Sequence, residues 1–160
     1  NIMIGEYGEV LLMDWGLAKI IGTAEEVEEL DGERVSSVRS EDESSNTIEG
    51  TTAGTPAFMS PEQATGQMDE LAQRSDIYSL GATLFYMTTN EYPVKGSTAY
   101  EVLAALISGQ VEKPNIVNPL IPEGLNQLII NMMGMAVEDR YQNYENLLID
   151  IDAFLKGSKI

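Results

Sequence analysis

The chain of 160 residues contains no cysteine and no histidine. Without thiols it forms neither a disulfide framework nor a thiolate metal site. Without imidazole, zinc chemistry and histidine general-base catalysis drop out together. Basic residues are scarce as well: nine Lys and Arg stand against 26 Asp and Glu, a formal charge of −17. Phosphate binding needs cations that release counterions, so this balance argues against a nucleic-acid partner. No run of about eighteen apolar residues occurs, and the first residues lack the charged, apolar, small-residue order of a secretory leader, so no membrane segment is expected in this stretch. The chain opens on Asn1 rather than Met, which suggests a truncated reading frame or an excised piece. What remains is a chain with 43% hydrophobic residues, enough to bury a core as one compact unit. Its chemistry must rest on carboxylates, hydroxyls and amides.

Two short apolar runs, Ile2-Met3-Ile4 and Val10-Leu11-Leu12-Met13, flank Gly5-Glu6-Tyr7-Gly8 and predict a β-hairpin that needs a body to pack on. Residues 24–50 carry ten acids, two basic residues and many serines, the composition of a solvated loop. Beyond it the apolar period turns helical. Ile77, Leu80, Gly81, Leu84 and Phe85 predict a central buried helix, and Tyr86, Met87, Met132, Met133 and Met135 are expected in the core. Thr98 and Glu101 form a capping box before Tyr100, Leu103 and Ile107, with Gly109 at the expected stop. Leu125, Leu128, Ile129, Met132 and Met133 make an i, i+3, i+4, i+7, i+8 stripe, and Tyr144, Leu147, Leu148, Ile151 and Leu155 make a similar one after Asn143 as cap. The fold class expected is mainly α with a small β-hairpin.

Four blocks carry chemistry: Asp14-Trp15-Gly16 after the second strand, Gly54-Thr55-Pro56-Ala57-Phe58-Met59-Ser60-Pro61-Glu62, Ser75-Asp76-Ile77-Tyr78-Ser79-Leu80-Gly81, and Asp139-Arg140-Tyr141. Each has an ordinary reading when taken alone. Asp14 reads as a strand-end carboxylate capping a turn, and Asp76 as an N-terminal carboxylate in the helix dipole. Ser60, Pro61 and Gln63 read as an N-cap, a proline at the first helical position and the close of a capping box. In this order, however, the blocks resemble the eukaryotic-like serine/threonine protein kinases of bacteria, and the likeness runs from Asn1 to about Leu155. It implies the C-terminal, helical lobe of the kinase fold over 1–155, with 17–59 as the activation segment, including the acidic loop 24–50, and a tail at 156–160.

The resemblance also implies roles. Asp14 matches the Asp of the Asp-Phe-Gly motif and Asn1 the Asn that closes the catalytic loop, so both would hold the magnesium ions that bind ATP phosphates. Trp15 replaces the usual Phe as an aromatic plug, and Gly16 gives the segment freedom to pivot. Thr55 would shape the pocket for a serine or threonine acceptor. Thr51 and Thr52 are the preferred phosphoacceptors, with Ser44, Ser45 and Thr47 behind them, in a segment the family uses as an order–disorder switch. Glu62 stands for the Glu of Ala-Pro-Glu, with Ser60 in place of Ala, and its implied partner is Arg140. Asp76 would accept hydrogen bonds from the backbone of the catalytic loop.

The family's catalytic base would precede Asn1 by five residues, with the Gly-rich loop and the phosphate-holding Lys further upstream. The 160 residues alone are therefore expected to be inactive, with an exposed apolar face where the N-terminal lobe of the same chain docks, and poorly soluble. The parent would act on protein substrates in the cytoplasm or at the cytoplasmic side of a membrane-anchored chain. The competing reading is a pseudokinase or split-domain interaction module that binds partners without catalysis.

Overall fold

The structure, a computed structural model, describes residues 1–14, 56–67 and 71–157. Trp15, Gly16, Thr51, Thr52, Thr55 and the acidic stretch 24–50 lie outside these residues. The described part comprises a hairpin and a helical body that belong to separate units, and each is described by itself.

In the hairpin, β1 (Ile2–Ile4) pairs antiparallel with β2 (Val10–Leu12) in the register Ile2 to Leu12, Met3 to Leu11 and Ile4 to Val10. The turn closes through the Gly5 N–H on the Glu9 carbonyl at 2.8 Å, and Gly8 takes a φ of 84° that a side chain would resist. The Met13 N–H reaches the Asn1 carbonyl at 2.8 Å, which carries the pairing to the open end. All six strand residues are exposed. A two-stranded hairpin buries too little to be stable alone, so this is the element that needs a body.

The body begins with a single 3-10 turn, Pro56–Phe58, followed by α1 (Pro61–Ala64), α2 (Gln73–Thr89), α3 (Ala99–Ile107), α4 (Pro114–Val117) and α5 (Glu123–Met132). A second 3-10 turn, Val137–Asp139, leads to α6 (Tyr144–Leu155). Helix α2 is the axis. One side of it, through Tyr78, Ala82 and Phe85, packs with Val102 and Leu106 of α3 and with Ile129 and Met133. The other side, through Ile77, meets Leu128 and Met132 of α5 and Leu147 of α6. Gly81 sits at the crossing with α5, where a Cβ would lie 2.7 Å from Met132 Cβ and 2.8 Å from Met133 Cγ. A hydrogen at that position lets the two helices approach.

The helix ends follow local chemistry. Thr98 Oγ1 accepts from the Glu101 N–H at 3.2 Å, while the Glu101 carboxylate accepts from the Ser97 N–H at 2.7 Å, so the expected box closes one residue earlier than the pattern implies. At the other end of α3 the Gln110 N–H reaches the Ala105 carbonyl and the Gly109 N–H the Leu106 carbonyl, both at 2.9 Å, with Gly109 at φ 74°. This is a Schellman motif. Asn143 Oδ1 accepts from the Asn146 N–H at 2.9 Å and starts α6.

Several expected core positions are instead on the surface. Leu80, Tyr86 and Met87 of α2 are exposed, the last by 67%, because α2 is flanked by the two clusters over only part of its circumference. Met135 is half-buried. In α6 the inward arc is Leu147, Ile151 and Phe154, spaced by four and three. Tyr144, Leu148 and Leu155 fall on the next arc, and the last two are 60% and 73% exposed. The stripe in the sequence is wider than the face that α6 buries.

Candidate active site

At the open end of the hairpin the Asn1 Nδ2 donates to Asp14 Oδ2 at 3.4 Å. Asp14 holds a φ of 63°, left-handed backbone that Asp tolerates better than most residues and that turns the chain as it leaves β2. Both side chains are exposed. The pair offers a carboxylate and an amide, the oxygen-donor chemistry that hard cations take, and an amide oxygen replaces the nitrogen by a simple flip. Among the described residues no cluster of three or more acids forms a cage. A magnesium ion at this pair would thus need phosphate and water oxygens to fill its shell, which is how Mg²⁺ ordinarily binds beside nucleotides.

The second constellation lies in the helical body. Ser60 precedes α1, and its N–H donates to Gln63 Oε1 at 2.9 Å, so the ordinary capping role suggested by the sequence is real. Glu62 is buried in the first turn of that helix and faces Arg140 across 78 residues of sequence. The guanidinium grips the carboxylate with both arms, Nη1 on Oε1 at 2.8 Å and Nη2 on Oε2 at 2.9 Å. Its remaining donors are used as well: Nε on the Gly134 carbonyl at 2.7 Å, Nη1 on the Arg74 carbonyl at 3.1 Å and Nη2 on the Met135 carbonyl at 3.3 Å. The guanidinium carbon also stands 4.9 Å from the centre of the Tyr78 ring, a cation–π geometry. Burial pushes the Glu62 carboxyl up, but hydrogen bonds from Arg140 and Ser75 together with the Arg140 charge outweigh it and hold the group down at about 2. The site is a closed, charge-compensated lock between the segment ending at Glu62 and the late helices.

Asp76 is exposed on the first turn of α2, and the Tyr144 hydroxyl donates to its Oδ2 at 3.5 Å. Burial, and then the Asp76 carboxylate, push the Tyr144 hydroxyl up. Further contacts, to which the sequence assigned no role, complete the picture. Ser75 supports Glu62, and Tyr78 receives the face of Arg140. Asn126, buried on α5, accepts from the Asn115 N–H at 3.2 Å. Tyr92 stacks on Tyr86, and Phe58 lies edge-on to both. No local sequence signal marks these contacts: most join positions well apart in the chain, and Tyr86 meets Tyr92 only because the chain turns back at the end of α2.

An open carboxylate–amide pair at a strand end, a Glu–Arg lock behind a Ser-Pro-Glu turn and a helical body are the parts of one known architecture. The family described as the protein kinase domain matches residues 1–149, and the chain belongs to that family. Relatives it resembles include bacterial kinases. Serine/threonine-protein kinase PknD of Protochlamydia amoebophila (strain UWE25) is 36% identical over 98% of this chain and 16% of its own length. PknD of Chlamydia pneumoniae is 32% identical over 99% of the chain and 16% of its length. Tyrosine-protein kinase MasK of Myxococcus xanthus (strain DK1622) is 29% identical over 97% and 21%. The chain therefore spans about a sixth of the length of the PknD relatives it matches.

Proposed function

We propose that this chain is the helical lobe, over 1–155, of a protein kinase that moves the γ-phosphate of ATP to serine or threonine hydroxyls of other proteins. The observation that carries the catalytic part is the approach of Asn1 to Asp14 at the open end of the hairpin. These two side chains would hold Mg²⁺, which when bound neutralises phosphate charge and orients the transferred group. Gly16 would let the chain turn after Asp14, and Thr55 would receive the acceptor residue. Residues 17–59 serve as the activation segment, with Thr51 and Thr52 as its phosphoacceptors. Glu62 and Arg140 anchor the end of that segment to the helical body, and Asp76 is the anchor for the backbone of the catalytic loop. The serine/threonine class is favoured by the Gly54-Thr55-Pro56 string and by the PknD relatives, against one tyrosine-kinase relative.

Transfer needs more polypeptide than these 160 residues, because a base and a nucleotide-covering loop must be added to positioned metal ligands. The exposed Leu80, Tyr144 and Leu148 support a docking face for such a lobe. Among the described residues no helix is long and apolar enough to cross a membrane. We place the reaction on the cytoplasmic side, where ATP is available.

The test is phosphoryl transfer from radiolabelled ATP to a protein substrate by the protein that carries this chain, with Asp14→Asn beside it. The variant should lose roughly a hundredfold or more in rate with its melting temperature unchanged. An unaltered rate, or a wild-type protein that binds partners yet neither binds Mg²⁺–ATP nor transfers phosphate, would replace this reading with the non-catalytic interaction module.

A further inference from the structure

Arg140 is held by more than its own side chain. Gln142 Nε2 donates to the carbonyls of Arg140 at 2.7 Å, Val137 at 3.1 Å and Glu138 at 3.2 Å, so one amide covers the turn that presents the arginine. The Oε1 of the same amide accepts from Arg74 Nη1 at 2.9 Å. The Arg74 carbonyl in turn accepts from Arg140 Nη1 at 3.1 Å. Three residues therefore close a ring: the Arg140 side chain on the Arg74 backbone, the Arg74 side chain on Gln142, and Gln142 on the Arg140 backbone.

The ring needs a side chain that donates at one end and accepts at the other. An amide does both, whereas a carboxylate there would only accept and an ammonium would only donate. Gln142 is exposed and Arg74 half-buried, and neither belongs to the two apolar clusters, so what they contribute is orientation rather than burial. The first turn of α2, which the ring ties down, also carries Ser75, a hydrogen-bond donor to Glu62. Glu62 follows Thr55 by seven residues and ends the block in which the acceptor hydroxyl is expected to be received.

We propose that Gln142 is a positioning residue of the kinase reaction. With Arg74 it holds Arg140 in the orientation that grips Glu62, and through Glu62 it sets the segment that meets the protein substrate. Only this last step rests on the kinase reading.

The experiment uses the protein that carries this chain and varies protein substrate and ATP in turn in a steady-state transfer assay. Gln142→Met and Arg74→Met should each raise the KM for the protein substrate roughly fivefold and leave the KM for ATP within about twofold. A side chain that merely supports the fold would lower kcat through loss of active protein and leave both KM values alone. The double variant should do no worse than either single change, because one ring breaks once. Arg74→Lys still donates to Gln142 and should stay within about twofold of wild type. Gln142→Glu keeps the Arg74 contact but drops the three carbonyls; it should match Gln142→Met and carries the test if a Met variant unfolds. Urea unfolding reads the ring without any transfer: the drop in midpoint caused by Gln142→Met should shrink by about half or more in an Arg140→Lys background. An unchanged KM for the protein substrate, effects that multiply in the double variant, or an equal rise in the KM for ATP overturns the proposal. A wild-type protein that transfers no phosphate refutes the kinase reading alone, and an additive result in urea overturns the ring's hold on Arg140 whether or not transfer is seen.

Discussion

Removing Arg140 should be the most damaging single change in the helical body. Its side chain is fully buried and Glu62 is 3% exposed, so neither charge is screened by water. Arg140→Ala strands the Glu62 carboxylate with Ser75 as its remaining side-chain donor and also orphans the carbonyls of Gly134, Arg74 and Met135. Glu62→Ala is milder, because the guanidinium keeps those three carbonyls and the Tyr78 face. Breaking a buried ion pair costs about 3–5 kcal/mol, so the lower end suits Glu62→Ala and the upper end Arg140→Ala. For a chain of this size each kcal/mol moves the melting temperature by about 2–4 °C, giving shifts of roughly 6–12 °C and 10–20 °C.

Urea unfolding followed by circular dichroism reads these numbers directly, provided the slope with denaturant stays constant. Arg140→Lys should fall between wild type and Arg140→Ala, since an ammonium keeps the charge but cannot make the two-armed contact. The pair Glu62→Leu with Arg140→Met should cost less than the sum of its single changes by about 2 kcal/mol or more, because no lone charge is left behind. An Arg140→Ala midpoint within about 1 kcal/mol of wild type would refute the claim that this lock holds the body together.

Acid should unlock the same pair. Glu62 is held at about 2 against an ordinary 4.5, so its contribution is full above pH 4.5 and is lost as pH falls towards 2, up to about 3 kcal/mol; Glu62→Gln should flatten that limb of the stability curve. Gly81→Ala should destabilise by about 1–3 kcal/mol through overpacking against Met132 and Met133, whereas helix propensity alone predicts a gain, so the sign of the change in urea midpoint decides between them. Leu148→Lys, placed on the open arc of α6, should leave the melting temperature unchanged and reduce self-association in light scattering; an unchanged association state would show that this surface is not the sticky one.

The elements whose causes are local were legible in the sequence. The hairpin follows from Gly5 and Gly8 between two apolar runs, and the helix limits follow from bonds made within a few residues, by side chains at Thr98 and Asn143 and by backbone N–H groups at Gly109. The Glu62–Arg140 contact is not local, and it was legible only because the family pattern carries both partners. Burial was less readable. Helix α2 is apolar on nearly every face, so periodicity gave no phase and Tyr86 and Met87 were indistinguishable from Tyr78 and Phe85. On α6 the width of the apolar arc exceeded the contact that α5 and α2 offer, and only the packing could say which edge faces inward. Buried Asn126 was hidden for a related reason, since its partner Asn115 lies in another helix.

The arrangement of Arg140 explains why so much depends on one side chain. It joins α1 through Glu62, the first turn of α2 through the Arg74 carbonyl and the stretch after α5 through Gly134 and Met135. Helix α1 has only four residues, too short to hold its place by its own hydrogen bonds. It is fixed instead by a charge contact at Glu62 and by Phe58 and Ala57, which pack on the core just ahead of it. The lock and the aromatic cluster thus brace one short segment from both ends. Loosening the lock should leave Phe58 and Ala57 as the remaining hold of that segment on the core, so the cost of breaking the pair is borne first by α1.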